Sequence, residues 1–199
     1  MERNTGPMDD DAVRSIFGEI ISSARGAEAP VRVAALGPRG TFSEQAAHKV
    51  FGRQITLLEG ANIREVFRLT ESGDAQFGVV PVENSTEGGV NATLDLLMET
   101  TLQVCNEVEL RVTHCLLASE NSPAPREIAG HEQALAQCRN WLATHYAGVP
   151  LFPKSSTAEA ARAAADDSEV MAIASSEAAT LYGLEVRARD IADVPGNTT

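Results

Sequence analysis

From Val31 to the C-terminus, short apolar runs alternate with helix-patterned segments, and this alternation restricts the fold more than any other feature of the chain. Residues 31–36, 55–58 and 77–82 read as strands. Between and after them, Phe42, Ala46, Ala47 and Val50 share one helical face. A second helix is predicted over about 62–72, ending at Gly73. A third over about 89–100 turns Val90, Leu94 and Leu97 inward. Strand–helix–strand order of this kind implies a mostly parallel sheet covered by helices.

A second set follows the first. Strands are predicted at 128–131, 149–152 and 170–174, with helices at 132–146, 157–165 and 176–181, the last stopped by Gly183. Residues 102–117 alternate for longer than one ordinary strand, so they read as two strands, or as one bent strand passing between lobes. The closing EVRARDIADVPGNTT reads as a strand and loop returning to the first lobe. The expected fold class is therefore α/β, with two α/β lobes around a cleft, and clefts at the carboxyl ends of parallel strands are the usual ligand sites.

Before this, residues 11–25 place Val13, Ile16, Phe17, Ile20, Ile21 and Ala24 on one helical face, with Asp10 or Asp11 as cap, Gly26 past the end, and GAEAP as a linker. The apolar face has no earlier helix to pack on, and it reads as a surface for dimerisation or for docking on the lobes. The opening MERNTGPMDDD is acidic and lacks an apolar core, so it is not a secretory signal.

Composition narrows the function. A net charge of −12 over 199 residues argues against nucleic acid and anionic membranes as partners, and no apolar run is long enough to span a bilayer. Cys105, Cys115 and Cys138 are odd in number and form no C-x-x-C pair, so they are expected to be buried thiols in a reducing compartment, not a disulfide framework or zinc site. His131-Glu132 begins like a zinc-protease helix, but position 135 is Leu where the second His would stand. No G-x-S-x-G or P-loop occurs. His131 is read as a helix cap or a ligand-orienting group, and no metal or cofactor is expected.

Three segments remain. Gly37–Glu44 (GPRGTFSE) joins a strand to a helix with Thr41 and Glu44 at capping-box spacing. It is either a plain turn or a helix N-terminus that holds a carboxylate through Thr41, Phe42 and Ser43. Ser156 and Glu159 repeat the spacing in the second set, where Ser156 and Thr157 could bind a second anion, although a structural cap alone explains the pattern. Glu83-Asn84-Ser85 ends a buried strand with a dense polar set. Glu83 itself reads equally as an acid, an acceptor or an ion-pair partner.

Taken in order, VAALGPRGTFSEQAA (33–47), GVVPVENSTEGGVNATLDLL (78–97), HEQALAQCRNWL (131–142), SSTAEAA (155–161), MAIASSEAATLYGL (171–184) and the terminal Asn197-Thr198-Thr199 resemble the prephenate dehydratase family. The resemblance implies two lobes similar to type II periplasmic binding proteins. It implies a carbon–oxygen lyase that converts prephenate to phenylpyruvate in L-phenylalanine biosynthesis, in the cytoplasm, as a homodimer. It makes Thr199 the catalytic hydroxyl of an N-x-T-R-F motif and Asn197 a substrate-binding residue, with Thr41, Phe42, Ser43, Glu83, Asn84, Ser85, Ser156 and Thr157 around the substrate. Residues 1–29 resemble the last helix of a chorismate mutase domain, and 30–199 the dehydratase domain, with one lobe at about 31–107 plus 188–199 and the other at about 108–187. The motif's Arg and Phe would follow Thr199, so a chain ending there is expected to be a fragment of a multifunctional enzyme, without a regulatory ACT domain and with impaired turnover. An arogenate dehydratase and a non-catalytic small-anion binding protein are the alternatives.

Overall fold

A computed structural model describes residues 7–28 and 30–199, so the opening residues 1–6 lie outside it. Helix α1 (Asp10–Glu28) has Asp9 as its cap, whose Oδ1 accepts from the Ala12 amide at 2.7 Å. Asp10 and Asp11 fall inside the helix. The helix also runs past Gly26, which shortens the expected linker; of that linker, Ala29 lies outside the described residues. Ile16, Phe17, Ile20 and Ile21 are exposed along α1.

The first lobe is built from β1 (Val31–Leu36), α2 (Phe42–Phe51), β2 (Ile55–Gly60), α3 (Ile63–Glu71) and β3 (Phe77–Val79). A two-stranded hairpin, β4 (Glu83–Asn84) and β5 (Gly88–Gly89), follows, and then α4 (Asn91–Glu99). The sheet order is β2-β1-β3, all parallel, as the strand–helix alternation requires. Ala34, Val66, Leu69 and Ala75 form its core. The hairpin was not expected. It forms because the Asn84 Oδ1 accepts from the amides of Thr86 (3.0 Å) and Glu87 (3.3 Å), folding the polar loop on itself.

The second lobe contains β6 (Cys115–Ala118), β7 (Glu127–His131), α5 (Glu132–Gln137), α6 (Arg139–His145), β8 (Leu151–Lys154), α7 (Thr157–Asp166), β9 (Val170–Ala174), α8 (Ser176–Tyr182) and β10 (Glu185–Ala188). Its sheet runs β10-β6-β9-β7-β8, with β7, β8 and β9 parallel and β6 antiparallel to its neighbours. Strand alternation divides the core in two. Cys115, Leu117, Val170, Ala172 and Ala174 face α7 and α8, where Ala160, Ala161 and Ala164 supply small side chains for close packing. Leu116, Ala118, Met171 and Ile173 face α5 and α6.

Two expectations fail here, both for long-range reasons. The predicted helix 132–146 is broken at Cys138. The Asp193 carboxylate accepts from the amides of Asn140 (2.9 Å) and Trp141 (3.0 Å), while the Asp193 amide donates to the Gln137 carbonyl (2.7 Å). Groups that would close a continuous helix are therefore taken by the C-terminal tail. Residues 102–117, expected as two strands or one bent strand, form only β6 and a short ladder: Leu110 and Thr199 exchange both backbone hydrogen bonds, Val112 donates to Asn197 (2.8 Å), and Arg111 bridges Thr198. Cys115 and Cys138 are buried as expected, but Cys105 is exposed.

Candidate functional site

Parallel strands put their carboxyl ends on one edge of a sheet. In the first lobe that edge carries the turn after β1, Asn62 after β2, and the Pro81–Glu83 segment after β3. In the second it carries His131 at the end of β7, Ser155 after β8 and Ser175 after β9. Antiparallel pairing of Cys115 with Ala174 brings the start of β6, and so His114, to the same edge.

Both strand-to-helix turns are variants of the capping box, in which the glutamate reaches back to the residue before the cap. Thr41 Oγ1 accepts from the Glu44 amide (3.3 Å) and donates to the Leu36 carbonyl (2.8 Å). The buried Glu44 carboxylate accepts from the Gly40 amide and meets Arg39 at 3.2 Å and His48 at 3.5 Å. Ser156 Oγ accepts from the Glu159 amide at 3.0 Å, and Glu159 reaches back to the amide and hydroxyl of Ser155. Those Ser155 bonds hold the Glu159 carboxyl below the usual carboxylate range. The two caps thus consume N–H groups of Glu44 and Glu159, while the amides of residues 42–43 and 157–158 keep the outward direction that helix geometry gives the first turn. Thr41, whose hydroxyl is both donating and accepting internally, serves the turn itself.

The first turn packs on the second lobe. Gly40 has φ +91, and a Cβ there would lie 3.3 Å from Leu181 and Tyr182 atoms, so only glycine allows this close approach. Tyr182 OH donates to the Arg39 carbonyl (2.7 Å), and Gln45 Nε2 donates to Ser175 Oγ (3.0 Å).

The C-terminal tail carries Asn197 and Thr199 to the polar loop of the first lobe. Thr199 Oγ1 donates to the Glu83 carbonyl (3.0 Å). Ser85 Oγ donates to Asn197 Oδ1 (3.0 Å) and accepts from the Thr198 amide (2.9 Å), and the Ser85 amide donates to the Thr198 carbonyl (2.9 Å). Asn197, 6% exposed, spends its Nδ2 on Gln137 Oε1 (3.2 Å). Gln137 Oε1 also meets His114 Nε2 (2.8 Å), and the His114 ring lies edge-on to Phe42 with centroids 6.2 Å apart. Direct contacts therefore run through Phe42, His114, Gln137, Asn197, Ser85 and Thr198, and the next residue, Thr199, contacts Glu83.

Of the residues expected from sequence, Phe42, Glu83, Ser85, Asn197 and Thr199 come together in this way. Asn84 is tied to its own hairpin, and Ser43 follows Phe42 at the start of α2. Ser156 and Thr157 sit on the same sheet edge as His114 but three strands away, roughly 14 Å at normal strand spacing. His131 occupies the cap position of α5, yet its side chain makes no capping hydrogen bond. Sequence reading missed His114 and Gln137. Only the register of β6 against β9 and the end of α5 bring them to the tail, and neither lies in a local motif. Among the described residues, no group of three or more His, Cys, Asp or Glu could hold a metal ion.

A family model described as prephenate dehydratase matches residues 33–199. The bifunctional chorismate mutase/prephenate dehydratase of Stutzerimonas stutzeri is 48% identical over 201 residues, covering 100% of this chain and 55% of that protein. The chain thus spans about half the length of the curated relatives it matches, 55% for each of the first three. Among solved structures, a prephenate dehydratase in complex with L-Phe from Arthrobacter aurescens superposes with a TM-score of 0.76 at 34% identity, covering 85% of this chain and 60% of that one. A protein described as a novel type of quorum-quenching acylase, GqqA, superposes with a TM-score of 0.74 at 30% identity, covering 84% of this chain and 61% of that one.

Proposed function

The chain belongs to the prephenate dehydratase family, and from that premise we propose that it converts prephenate to phenylpyruvate. The observation that carries the reading is the meeting of Asn197–Thr199 with the Glu83–Ser85 loop, through the Thr199–Glu83 and Asn197–Ser85 hydrogen bonds. This puts a hydroxyl at the edge where the strands of the first lobe end.

Prephenate carries two carboxylates and a ring hydroxyl. In the reaction the bond from the ring to one carboxylate breaks, its electron pair enters the ring, and the carbon–oxygen bond to the hydroxyl breaks. The products are carbon dioxide, phenylpyruvate and hydroxide, which takes up a proton to become water. Aromatisation supplies the driving force, so the protein needs to orient the substrate and stabilise the departing oxygen. A threonine hydroxyl is a poor net proton source. Thr199 Oγ1 instead turns its hydrogen from the Glu83 carbonyl to the leaving oxygen and stabilises it, and a proton taken up from bulk solvent, relayed through water, converts the hydroxide to water. The free first-turn amides of α2 at Phe42 and Ser43 bind a carboxylate. Ser156 and Thr157 take the more distant anionic group when the lobes draw together.

Incubation with prephenate, read by the ultraviolet absorbance of phenylpyruvate, tests this. Phenylpyruvate formation supports the reading, and binding of prephenate without product returns the chain to a non-catalytic anion-binding role. Competition between prephenate and arogenate assigns the preferred substrate within the family, and prephenate is expected to win. The cytoplasm and a homodimer complete the proposal, the latter tested by light scattering. The described residues contain no helix long and apolar enough to cross a membrane.

A further inference from the structure

His114 stands apart from the rest of the second-lobe core. It is a titratable side chain only 3% exposed, immediately before β6, whose residues Cys115–Ala118 are apolar. Its Nδ1 is buried without a hydrogen-bond partner among the described residues. A buried polar atom left unpaired weakens a fold, and such atoms in a folded protein call for an explanation.

The other nitrogen supplies one. Gln137 Oε1 already accepts from Asn197 Nδ2 (3.2 Å), so this atom is an acceptor in the network. The His114 Nε2 that meets it at 2.8 Å therefore carries the hydrogen, and the ring is the neutral Nε2–H tautomer. Burial of the ring favours the neutral form. From there every donor and acceptor is fixed in turn. His114 Nε2–H and Asn197 Nδ2–H both point at Gln137 Oε1, which turns Asn197 Oδ1 toward Ser85. Ser85 Oγ–H is spent on Asn197, which leaves the oxygen lone pairs to accept the Thr198 amide at 2.9 Å. Four segments distant in the chain, at residues 114, 137, 197 and 85, are joined by one directional chain of hydrogen bonds that ends one residue from Thr199.

We propose that His114 is a positioning residue for the reaction: its Nε2–H orients Gln137 and, through it, the Asn197 amide, so that the tail presents Thr199 at the Glu83 strand end. This rests on the dehydratase reading for its catalytic consequence but not for its geometry. A histidine that only filled space would be replaceable by an aromatic ring of similar volume. A positioning histidine is not, while glutamine, whose Nε2 reaches a similar place, substitutes for it in part.

The test uses the whole chain, labelled with nitrogen-15. The His114 ring is expected to give the pattern of the neutral Nε2–H tautomer at pH 7. His114→Phe is expected to shift the Asn197 side-chain amide and the Thr198 backbone amide and to speed their exchange with solvent, and His114→Gln to restore both. In turnover, His114→Phe is expected to lower kcat about tenfold, the loss of roughly one buried hydrogen bond, with KM changed less than about twofold. His114→Gln is expected to recover most of kcat. An Nδ1–H tautomer overturns the proposal, as do Asn197 and Thr198 signals indifferent to His114→Phe. Should His114→Phe fail to fold, His114→Gln decides alone: loss of the Asn197 signal and of kcat in a folded variant means the donated hydrogen is not what matters. Absence of phenylpyruvate both from the unaltered chain and from one extended through the Arg and Phe of the motif would instead overturn the functional reading, while the spectra still judge the hydrogen-bond chain.

Discussion

Replacing Asp193 by alanine should loosen the tail and the second lobe together. Asp193 is exposed, yet its two carboxylate oxygens accept from the Asn140 and Trp141 amides at 2.9 and 3.0 Å, at the first turn of α6. Removing a capping acceptor from a helix N-terminus costs about 1 kcal/mol, with a range of about 0.5–2. A carboxylate there also interacts with the helix dipole, adding about 0.3–1 kcal/mol. The bond from the Asp193 amide to the Gln137 carbonyl survives the substitution in principle, and so does burial of Ile191 two residues earlier. The expected loss is therefore about 1–3 kcal/mol. For a chain of this size each kcal/mol moves Tm by roughly 2–4 °C, so a fall of about 2–12 °C is expected by calorimetry. Hydrogen exchange should show Asn140 and Trp141 amides losing protection before those of β9. Asp193→Asn, with a single acceptor oxygen, should fall between. A Tm unchanged within a degree, with both amides still protected, would refute the claim that the tail caps α6.

A thiol reagent should modify Cys105 in the native chain and reach Cys115 and Cys138 only on unfolding, because Cys105 is exposed and burial pushes the Cys138 thiol up to about 12. Stability should decline as pH falls below about 6.5, where the unfolded chain protonates His114 and the fold, which lowers its pKa by desolvation, resists. Above that pH the neutral ring carries no such cost, and His114→Gln should flatten this part of a Tm-against-pH curve. Ser156→Ala should cost about 1 kcal/mol, seen as a lowered denaturant midpoint with an unchanged slope, through loss of the cap on α7.

The parts of the fold that were legible in the sequence depend on neighbours in the chain. Strands β1 and β9, the capping boxes at Thr41 and Ser156, and the Gly183 stop on α8 each follow from local periodicity or turn chemistry, and each is present. What was not legible depends on partners far away. The break at Cys138 requires Asp193, over fifty residues later in the chain, to occupy the amides of α6. Residues 102–109 alternate like a strand, but a strand needs a ladder, and among the described residues only 110–112 find one, in the tail. At the site, the loop at Glu83–Ser85 and the Asn197–Thr199 tail could be singled out in advance, the first by its polar density and the second by resemblance. His114 could not: a histidine among Val112, Cys115 and Leu116 looks like an occupant of an apolar strand. Its partner Gln137 lies on a helix whose end could not be foreseen.

Thr199 is proposed to handle the departing hydroxyl of prephenate. Steady-state turnover should be compared between the chain and its Thr199→Ala variant, with prephenate binding measured by calorimetry in parallel. The unaltered chain is expected to form phenylpyruvate, and the variant to show a fall in kcat of at least about a hundredfold, in line with removal of an oxyanion donor, at nearly unchanged affinity. Equal turnover by the two proteins would contradict it.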